Sequence, residues 1–153
     1  MVKKYGLNEG LATVDFLEIL PNFNDTITHY TVLSHGSMIS DYALLKGLAK
    51  KNSECRYLEI GTWFGESLVN IASIAKECFS IRLSDTELKQ LGATKEEILI
   101  QRIFSKDLSN TKHIKNNSQT FDFDTIGKFD LIFIDEDHSY NGVKKDTEMD
   151  LKF

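Results

Sequence analysis

Hydrophobic and polar residues follow one another along the chain in two patterns, the first of which is helical. Leu7, Leu11, Val14 and Leu17 recur at the spacing of one helical face, and Pro21 is expected to end that helix because proline cannot continue it. The chain is therefore predicted to begin with an amphipathic helix.

A second helix is predicted after a polar, mixed segment in which residues 31–33 could be extended. Asp41 is interpreted as the residue that caps the start of this helix. The apolar face that follows consists of Leu44, Leu45 and Leu48, at helical spacing. Helices thus dominate the predicted structure before the first strand.

From residue 56 onward, short apolar runs alternate with helical patterns. Runs that are apolar on both faces are typical of strands inside a parallel sheet, and their alternation with helices is typical of α/β proteins. The four predicted strands are Arg56–Ile60, Phe79–Leu83, a weaker one around His113–Ile114, and Phe129–Ile134. Right-handed crossovers place them in the order third, second, first, fourth, with helices on both faces of the sheet.

Two capping boxes lie between the second and third strands. Ser84 stands three residues before Glu87, and Thr94 stands three residues before Glu97, so each pair can cap the start of a helix. Gly92 between them is a natural end for the first of these helices. Two short helices are predicted here.

A glycine turn follows the first strand, where α/β folds bind ligands at the carboxyl ends of their strands. Glu59 is the last residue but one of the strand, and Gly61 and Gly65 stand four residues apart. A dinucleotide-binding turn would have a further glycine at position 63, where the backbone approaches a pyrophosphate. Trp63 occupies that position, which favours a ligand without a pyrophosphate.

This acidic-x-Gly-x-x-x-Gly turn resembles motif I of the class I S-adenosylmethionine-dependent methyltransferases, which have a Rossmann-like fold. The segment 129–140, Phe-Asp-Leu-Ile-Phe-Ile-Asp-Glu-Asp-His-Ser-Tyr, resembles the fourth-strand motif of one bacterial subgroup. That subgroup commonly reads Asp-Gly-Asp-His-x-Tyr, and this chain has Glu136 in place of the glycine. The resemblance covers residues 41–153 and implies binding of S-adenosylmethionine and methyl transfer to a small-molecule acceptor such as a hydroxyl.

The resemblance also implies roles for residues around the turn. Gly61 and Gly65 would let the loop pass beneath the methionine part of the cofactor, with Trp63 lining the same site. Glu59 would orient the cofactor's amino group, and Ser67 would add a hydroxyl contact.

The ends of the second and third strands carry the remaining cofactor candidates. The family usually has an acidic residue at the end of the second strand to bind the ribose hydroxyls, but Arg82 stands there in this chain. Ser84 or Asp85 is the candidate that takes over the hydroxyls, and Asn117 is the candidate for the adenine amine. Arginine at this position can also hold the 2′-phosphate of NADP, so an NADP-binding oxidoreductase fragment is the alternative reading.

An acidic cluster follows the fourth strand. Asp135 is assigned to the floor of the cofactor and substrate pocket, and Asp137 and His138 are the candidates for catalysis or metal binding. The concentration of carboxylates suits a positive sulfonium and could also bind a divalent cation.

Composition and charge limit the kinds of partner that the chain is expected to bind. A net charge of −5 without a basic stripe argues against nucleic acid, and no apolar run is long enough to span a membrane or serve as a signal sequence. The chain is therefore expected to be cytoplasmic. Cys55 and Cys78, at the starts of two strands, are interpreted as buried thiols, although neighbouring strands could bring them within reach of a disulfide.

The predicted organisation is an N-terminal helical extension, 1–40, that could be a lid or a dimer contact, and a cofactor-binding core, 41–153. By the resemblance, the core is expected to be truncated and to lack its last three strands. The fourth strand would then have a free edge, so a homo-oligomer is expected, and the fragment is expected to be inactive alone. A catalytically silent association domain is a further alternative.

Overall fold

The computed structural model describes residues 13–21, 23–32 and 36–150. Its strands are β1 (Arg56–Ile60), β2 (Glu77–Arg82), β3 (Thr111–Lys115) and β4 (Leu131–Ile134). Its helices are α1 (Phe16–Ile19), α2 (Ile39–Ala49), α3 (Glu66–Ala72), α4 (Asp85–Gln90), α5 (Lys95–Ile100) and α6 (Tyr140–Asp150). All four predicted strands and both predicted capping-box helices are present.

The four strands form one parallel sheet in the order β3-β2-β1-β4. This confirms the predicted order and the α/β fold class. All four strands end at the same edge of the sheet because they are parallel, so the loops after Ile60, Arg82, Lys115 and Ile134 meet there. Within the described part of the chain β4 is an outer strand, and association through its edge stays a prediction.

The core lies on both faces of the sheet because side chains alternate along each strand. On one face, Tyr57 and Cys78 pack against α2 and α3 through Leu45, Leu68 and Ile71. On the other face, the segment between β3 and β4 forms the cover, with short 3-10 turns at Ser118–Thr120 and Phe123–Thr125. The residues packed on that face include Leu58, Ile60, Phe79, Ile81, Phe121, Phe123 and Phe129.

The two cysteines are free and buried, as the thiol interpretation expected. Cys55 and Cys78 both belong to the apolar cluster beneath α2 and α3. Burial raises the pKa of both thiols, which keeps them protonated and unreactive.

The start of α2 differs from the prediction. Asp41 lies inside the first turn instead of capping it, and Met38 is the residue before the helix. The Asp41 carboxylate accepts the Met38 backbone N–H at 2.9 Å, so it satisfies a free amide from the third helical position. An acidic residue suits both positions, and the sequence alone did not distinguish them.

Within the described residues, the first predicted helix is the single turn α1, which ends before Pro21. Leu7 and Leu11 lie outside the described residues, and Val14 precedes α1. Val14 and Leu17 are largely exposed, so they do not form a packed apolar face. Thr31 and Val32 belong to no strand, and Leu33 lies outside the described residues.

A strap without regular secondary structure, residues 23–32, is hydrogen-bonded to the helix α3. Asn70, which is fully buried in α3, accepts the Thr28 N–H at 2.9 Å and donates to the His29 carbonyl at 2.7 Å. Glu66 of the same helix accepts the Thr31 N–H. Buried side chains of α3 thus replace a neighbouring strand as hydrogen-bond partners of the strap.

Substitution of Gly61 should destabilise the fold more than substitution of Gly92. Both residues have a positive φ, +87° and +95°, which costs alanine about 1 kcal/mol. A Cβ at Gly61 would lie 2.4 Å from the Asp135 carbonyl oxygen, whereas one at Gly92 would meet nothing within 4 Å. We expect Gly61→Ala to lower the free energy of unfolding by about 2–4 kcal/mol and Gly92→Ala by about 1 kcal/mol in urea titrations. Equal losses would contradict the close approach of the two loops.

Candidate functional site

The glycine turn after β1 packs directly against the end of β4. Gly61 adopts a positive φ, donates its N–H to the Ile81 carbonyl at 2.9 Å, and lies beneath the backbone of Asp135. Gly65 also has a positive φ, +84°, and precedes the first residue of α3. Glycine at these two positions lets the chain turn from strand to helix while leaving the carboxyl edge of the sheet open.

Glu59 lies beneath this turn and is almost completely buried. Its carboxylate accepts hydrogen bonds from the hydroxyls of Tyr57 at 2.9 Å, Thr62 at 2.8 Å and Ser67 at 2.6 Å. Burial outweighs these three hydrogen bonds and raises the pKa of Glu59 to about 7. The hydroxyl of Ser67, predicted to contact a cofactor, is therefore donated to Glu59 in this structure.

Three adjoining cavities follow the carboxyl edge of the sheet. The smallest, about 20 Å³, lies above Glu59 and Ser67. The central cavity, about 250 Å³, is lined by Gly61, Thr62, Trp63, Arg82, Leu83, Leu88, Gln101, Asp135 and Glu136. The outer cavity, about 330 Å³, is lined by Leu83, Leu91, Asn117, Ser118, Gln119, Glu136, Asp137, His138 and Asp146. The structure thus gathers most of the predicted site residues along one cleft.

A larger cavity of about 390 Å³ lies away from this edge. It is bounded by residues 19–21 and 23–25 and by Gly47, Lys50 and Lys51 of α2 and the turn that follows it. None of the predicted site residues lines it, and size alone does not assign it a function.

At the end of β2, Ser84 and Arg82 have different surroundings. Ser84 caps α4, and its hydroxyl is hydrogen-bonded to Glu87 at 2.6 Å, so it does not line any of the three cavities. Arg82 is buried and lines the central cavity, where it donates to Asp85 at 2.7 Å and to the Leu83 carbonyl at 2.8 Å. Of these two side chains near the end of β2, Arg82 lines the cleft and Ser84 does not.

At the end of β3, Asn117 and Ser118 face the outer cavity. The Asn117 carboxamide oxygen accepts the Gln119 N–H at 2.9 Å, which starts a 3-10 turn. The hydroxyl of Ser118 lies between two carboxylates, 2.8 Å from Asp146 of α6 and 3.1 Å from Glu136. The Ser118 hydroxyl has one proton, so it can donate to only one of these two carboxylates at a time. Burial raises the pKa of Glu136.

The three acids after β4 have different surroundings. Asp135 is half-buried, lines the central cavity and accepts the Ser37 hydroxyl at 3.2 Å, and burial raises its pKa. Glu136 lines both the central and the outer cavity. Asp137 is exposed and accepts the Ser139 N–H at 2.8 Å at the start of α6. His138 is exposed at the outer cavity, so the catalytic roles of Asp137 and His138 stay predictions.

Several residues of the cleft carried no signal in the sequence. Ser37 reaches Asp135 from before α2, and Asp146 enters the outer cavity from α6. Gln101 and Arg102 arrive from the loop after α5, because the Arg102 N–H is donated to the Trp63 carbonyl at 2.6 Å. Each contact joins residues far apart in the chain, so no local pattern marks it.

Residues 13–21, 23–32 and 36–150 contain neither a metal-binding cluster nor a membrane-spanning helix. Within them, no group of three or more His, Cys, Asp or Glu side chains is arranged to hold a metal ion, and the predicted divalent cation stays a prediction. Nor does this part of the chain include a helix with the length and hydrophobicity needed to cross a lipid bilayer.

Comparison with known proteins identifies relatives of this fold. A family described as a methyltransferase domain matches residues 58–153. The chain is similar to the SAH-bound methyltransferase PaMTH1 of Podospora anserina, with 22% identity and a TM-score of 0.50. The match covers 98% of this chain and 63% of PaMTH1, so the chain spans less than two thirds of that protein. The likeness shows the Rossmann-like fold, and no curated protein matches the chain.

Titration of Glu59 should make stability depend on pH. The pKa of Glu59 is about 7 in the folded chain against 4.5 for a free side chain, so the folded state binds the extra proton between these values. Stability should therefore fall as the pH rises from about 4.5 to about 7 and change little from this source above that range. We expect Glu59→Gln to flatten this dependence in urea titrations, while the exposed Glu96→Gln keeps it. An unchanged profile in Glu59→Gln would contradict the assignment.

Proposed function

The chain belongs to this methyltransferase domain family, and from that premise we propose that it binds S-adenosylmethionine and transfers its methyl group to a small-molecule acceptor. The observation that carries the proposal is the glycine turn at the centre of a continuous cleft. Gly61 and Trp63 line the central cavity between the ends of β2 and β4. This is the position at which α/β sheets of this strand order bind ligands.

The cleft suits a nucleoside ligand better than a dinucleotide. The central and outer cavities adjoin through Leu83 and Glu136 and offer about 250 and 330 Å³. Trp63 takes the position where a dinucleotide-binding turn has glycine, and its carbonyl is hydrogen-bonded to the Arg102 N–H. The turn is thus braced by the loop after α5, which supports binding of an adenosine compound without a pyrophosphate.

The residues of the cleft divide into three groups along the ligand. Gly61 and Gly65 would hold the amino-acid part, with Glu59 and Ser67 beneath them. Asp135 would lie near the reactive centre, and Asn117 would lie at the adenine. S-adenosylmethionine supplies a methyl group on a positive sulfonium, so the protein's task is to align the acceptor and, where needed, remove its proton.

A group at the end of β4 would remove the proton from a hydroxyl acceptor. Asp135 faces the central cavity, and burial raises its pKa while the hydrogen bond from Ser37 lowers it. Asp137 and His138 line the outer cavity and remain the candidates for catalysis. Ser37 donates to Asp135 and would orient its carboxylate toward the acceptor.

An NADP-binding oxidoreductase is the second candidate function, because Arg82 lines the cleft at the end of β2. Trp63 and the family match argue against it. The two candidates differ in the ligand that they require, so binding separates them.

Calorimetric titration tests the proposal directly. We expect S-adenosylhomocysteine to bind the chain more tightly than NADP. Asp135→Asn should weaken the binding of S-adenosylmethionine about tenfold, because it removes a negative charge near the positive sulfonium, which S-adenosylhomocysteine lacks. The matched control is Asp107→Asn, which changes an exposed acid outside the three cavities. Tighter binding of NADP than of S-adenosylhomocysteine would overturn the methyltransferase proposal.

A further inference from the structure

The central cavity contains a buried arginine with an unused hydrogen-bond donor. The side chain of Arg82 is 5% exposed, and its two terminal nitrogens donate to Asp85 and to the Leu83 carbonyl. Its Nε has no partner among the residues that the structure describes. A buried donor without an acceptor is costly, so a ligand that supplies an acceptor here would bind favourably.

The charges around Arg82 are not balanced. Asp85 is paired with both Arg82, at 2.7 Å, and Lys115, at 2.8 Å, and these two cations hold the pKa of Asp85 at about 2. A third cation, Arg102, lies nearby: burial and then the charge of Arg82 lower the pKa of Arg102, which has no ion pair within the described ranges. Arg82 and Lys115 therefore share the carboxylate of Asp85, with Arg102 as a further cation nearby.

The loop after α5 completes this side of the cavity. Arg102 has a φ of +60°, which is strained for a residue with a side chain. Its N–H is donated to the Trp63 carbonyl at 2.6 Å, and Gln101 beside it lines the central cavity with its side-chain oxygen buried and unpartnered among the described residues. Strained backbone and unsatisfied buried polar groups often mark ligand sites.

The acids of the cavity stand on the other side of the glycine turn. Asp135 and Glu136 follow β4, whereas Arg82 ends β2, and β1 lies between these two strands. With about 4.8 Å between neighbouring strands, the positive and negative walls are roughly 10 Å apart. The cavity is thus polarised and suits a ligand with an anionic group at its β2 side.

We propose that the β2 side of the central cavity is an anion subsite in which Arg82 binds a negatively charged oxygen group of the nucleoside ligand. The inference rests on the proposed function, since it concerns the ligand of the same cleft. Two sources supply such a group: the carboxylate of the amino-acid part, or a phosphate on the ribose. In either case the guanidinium Nε–H donates to an anionic oxygen, and the attraction between opposite charges, which a neutral ligand lacks, adds to the hydrogen bond.

Two matched pairs of ligands test the subsite by calorimetry on the 153-residue chain. The first pair is S-adenosylhomocysteine and its carboxamide, which differ only at the carboxylate. The second is adenosine 2′-monophosphate and adenosine, which differ only at the ribose phosphate. We expect the anionic member of one pair to bind about tenfold or more tightly, and the pair that shows the preference identifies the source.

Substitutions of residues in and near the cavity test whether Arg82 causes the tighter binding of the anionic ligand. Arg82→Gln should reduce it to about twofold or less, while Lys115→Gln, which removes an exposed cation from the same cluster but not from the cavity wall, should retain it. Gln101→Glu should also reduce it, because it places a negative charge in the cavity and leaves the bonds of Arg82 to Asp85 and Leu83 intact. The Gln101 variant decides the question if Arg82→Gln does not fold.

The outcomes separate this inference from the proposed function. Tight binding of S-adenosylhomocysteine without a preference in either pair would leave the proposed function standing and overturn the anion subsite. A preference that survives in both Arg82→Gln and Gln101→Glu would also overturn it. Failure of all four adenosine compounds to bind would overturn both proposals.

Discussion

Glu59 has its carboxyl group inside the protein at the end of β1, where it cannot reach water and must find hydrogen-bond donors in the chain. The donors are hydroxyls from three successive elements: Tyr57 of β1, Thr62 of the turn and Ser67 of α3. A buried acid that loses these donors is costly, so the strand, turn and helix are fixed relative to one another. The glycine turn, and with it the central cavity, depends on that arrangement.

Buried polar side chains also attach the N-terminal strap to this framework. Asn70 and Glu66 on α3 bind backbone amides of the strap, and Tyr42 of α2 donates its hydroxyl to Glu66 at 3.4 Å. Beyond the strap, Ser37 reaches Asp135. A segment that precedes the sheet in sequence therefore contributes directly to the wall of the cleft, and α3 links the two.

The cleft is negative on one side of β1 and positive on the other. Asp135 and Glu136 follow β4, and Arg82 lies at the end of β2 with Arg102 beside it. A ligand with both a positive and a negative group would be oriented by these two walls before any contact with the acceptor. This charge division distinguishes the site from one with acids on both sides, because Arg82 stands at the strand end where the family pattern usually has an acid.

The sequence by itself determined the α/β class, the four strands, their order and the glycine turn. These follow from local patterns: apolar runs, capping boxes and glycines whose physical consequences do not depend on distant residues. It also identified Asp135 and Arg82 as strand-end residues, because parallel strands bring their carboxyl ends together.

Only the tertiary structure decided which side chains face the cleft and which serve the fold. Ser84 and Ser67 are hydroxyls at strand or helix ends like many ligand-binding residues, but one caps α4 and the other is donated to Glu59. Gln101 enters the central cavity through a long-range backbone bond between its neighbour Arg102 and Trp63. A polar side chain uses whichever partner lies within about 3 Å, and that distance is set by packing between distant elements.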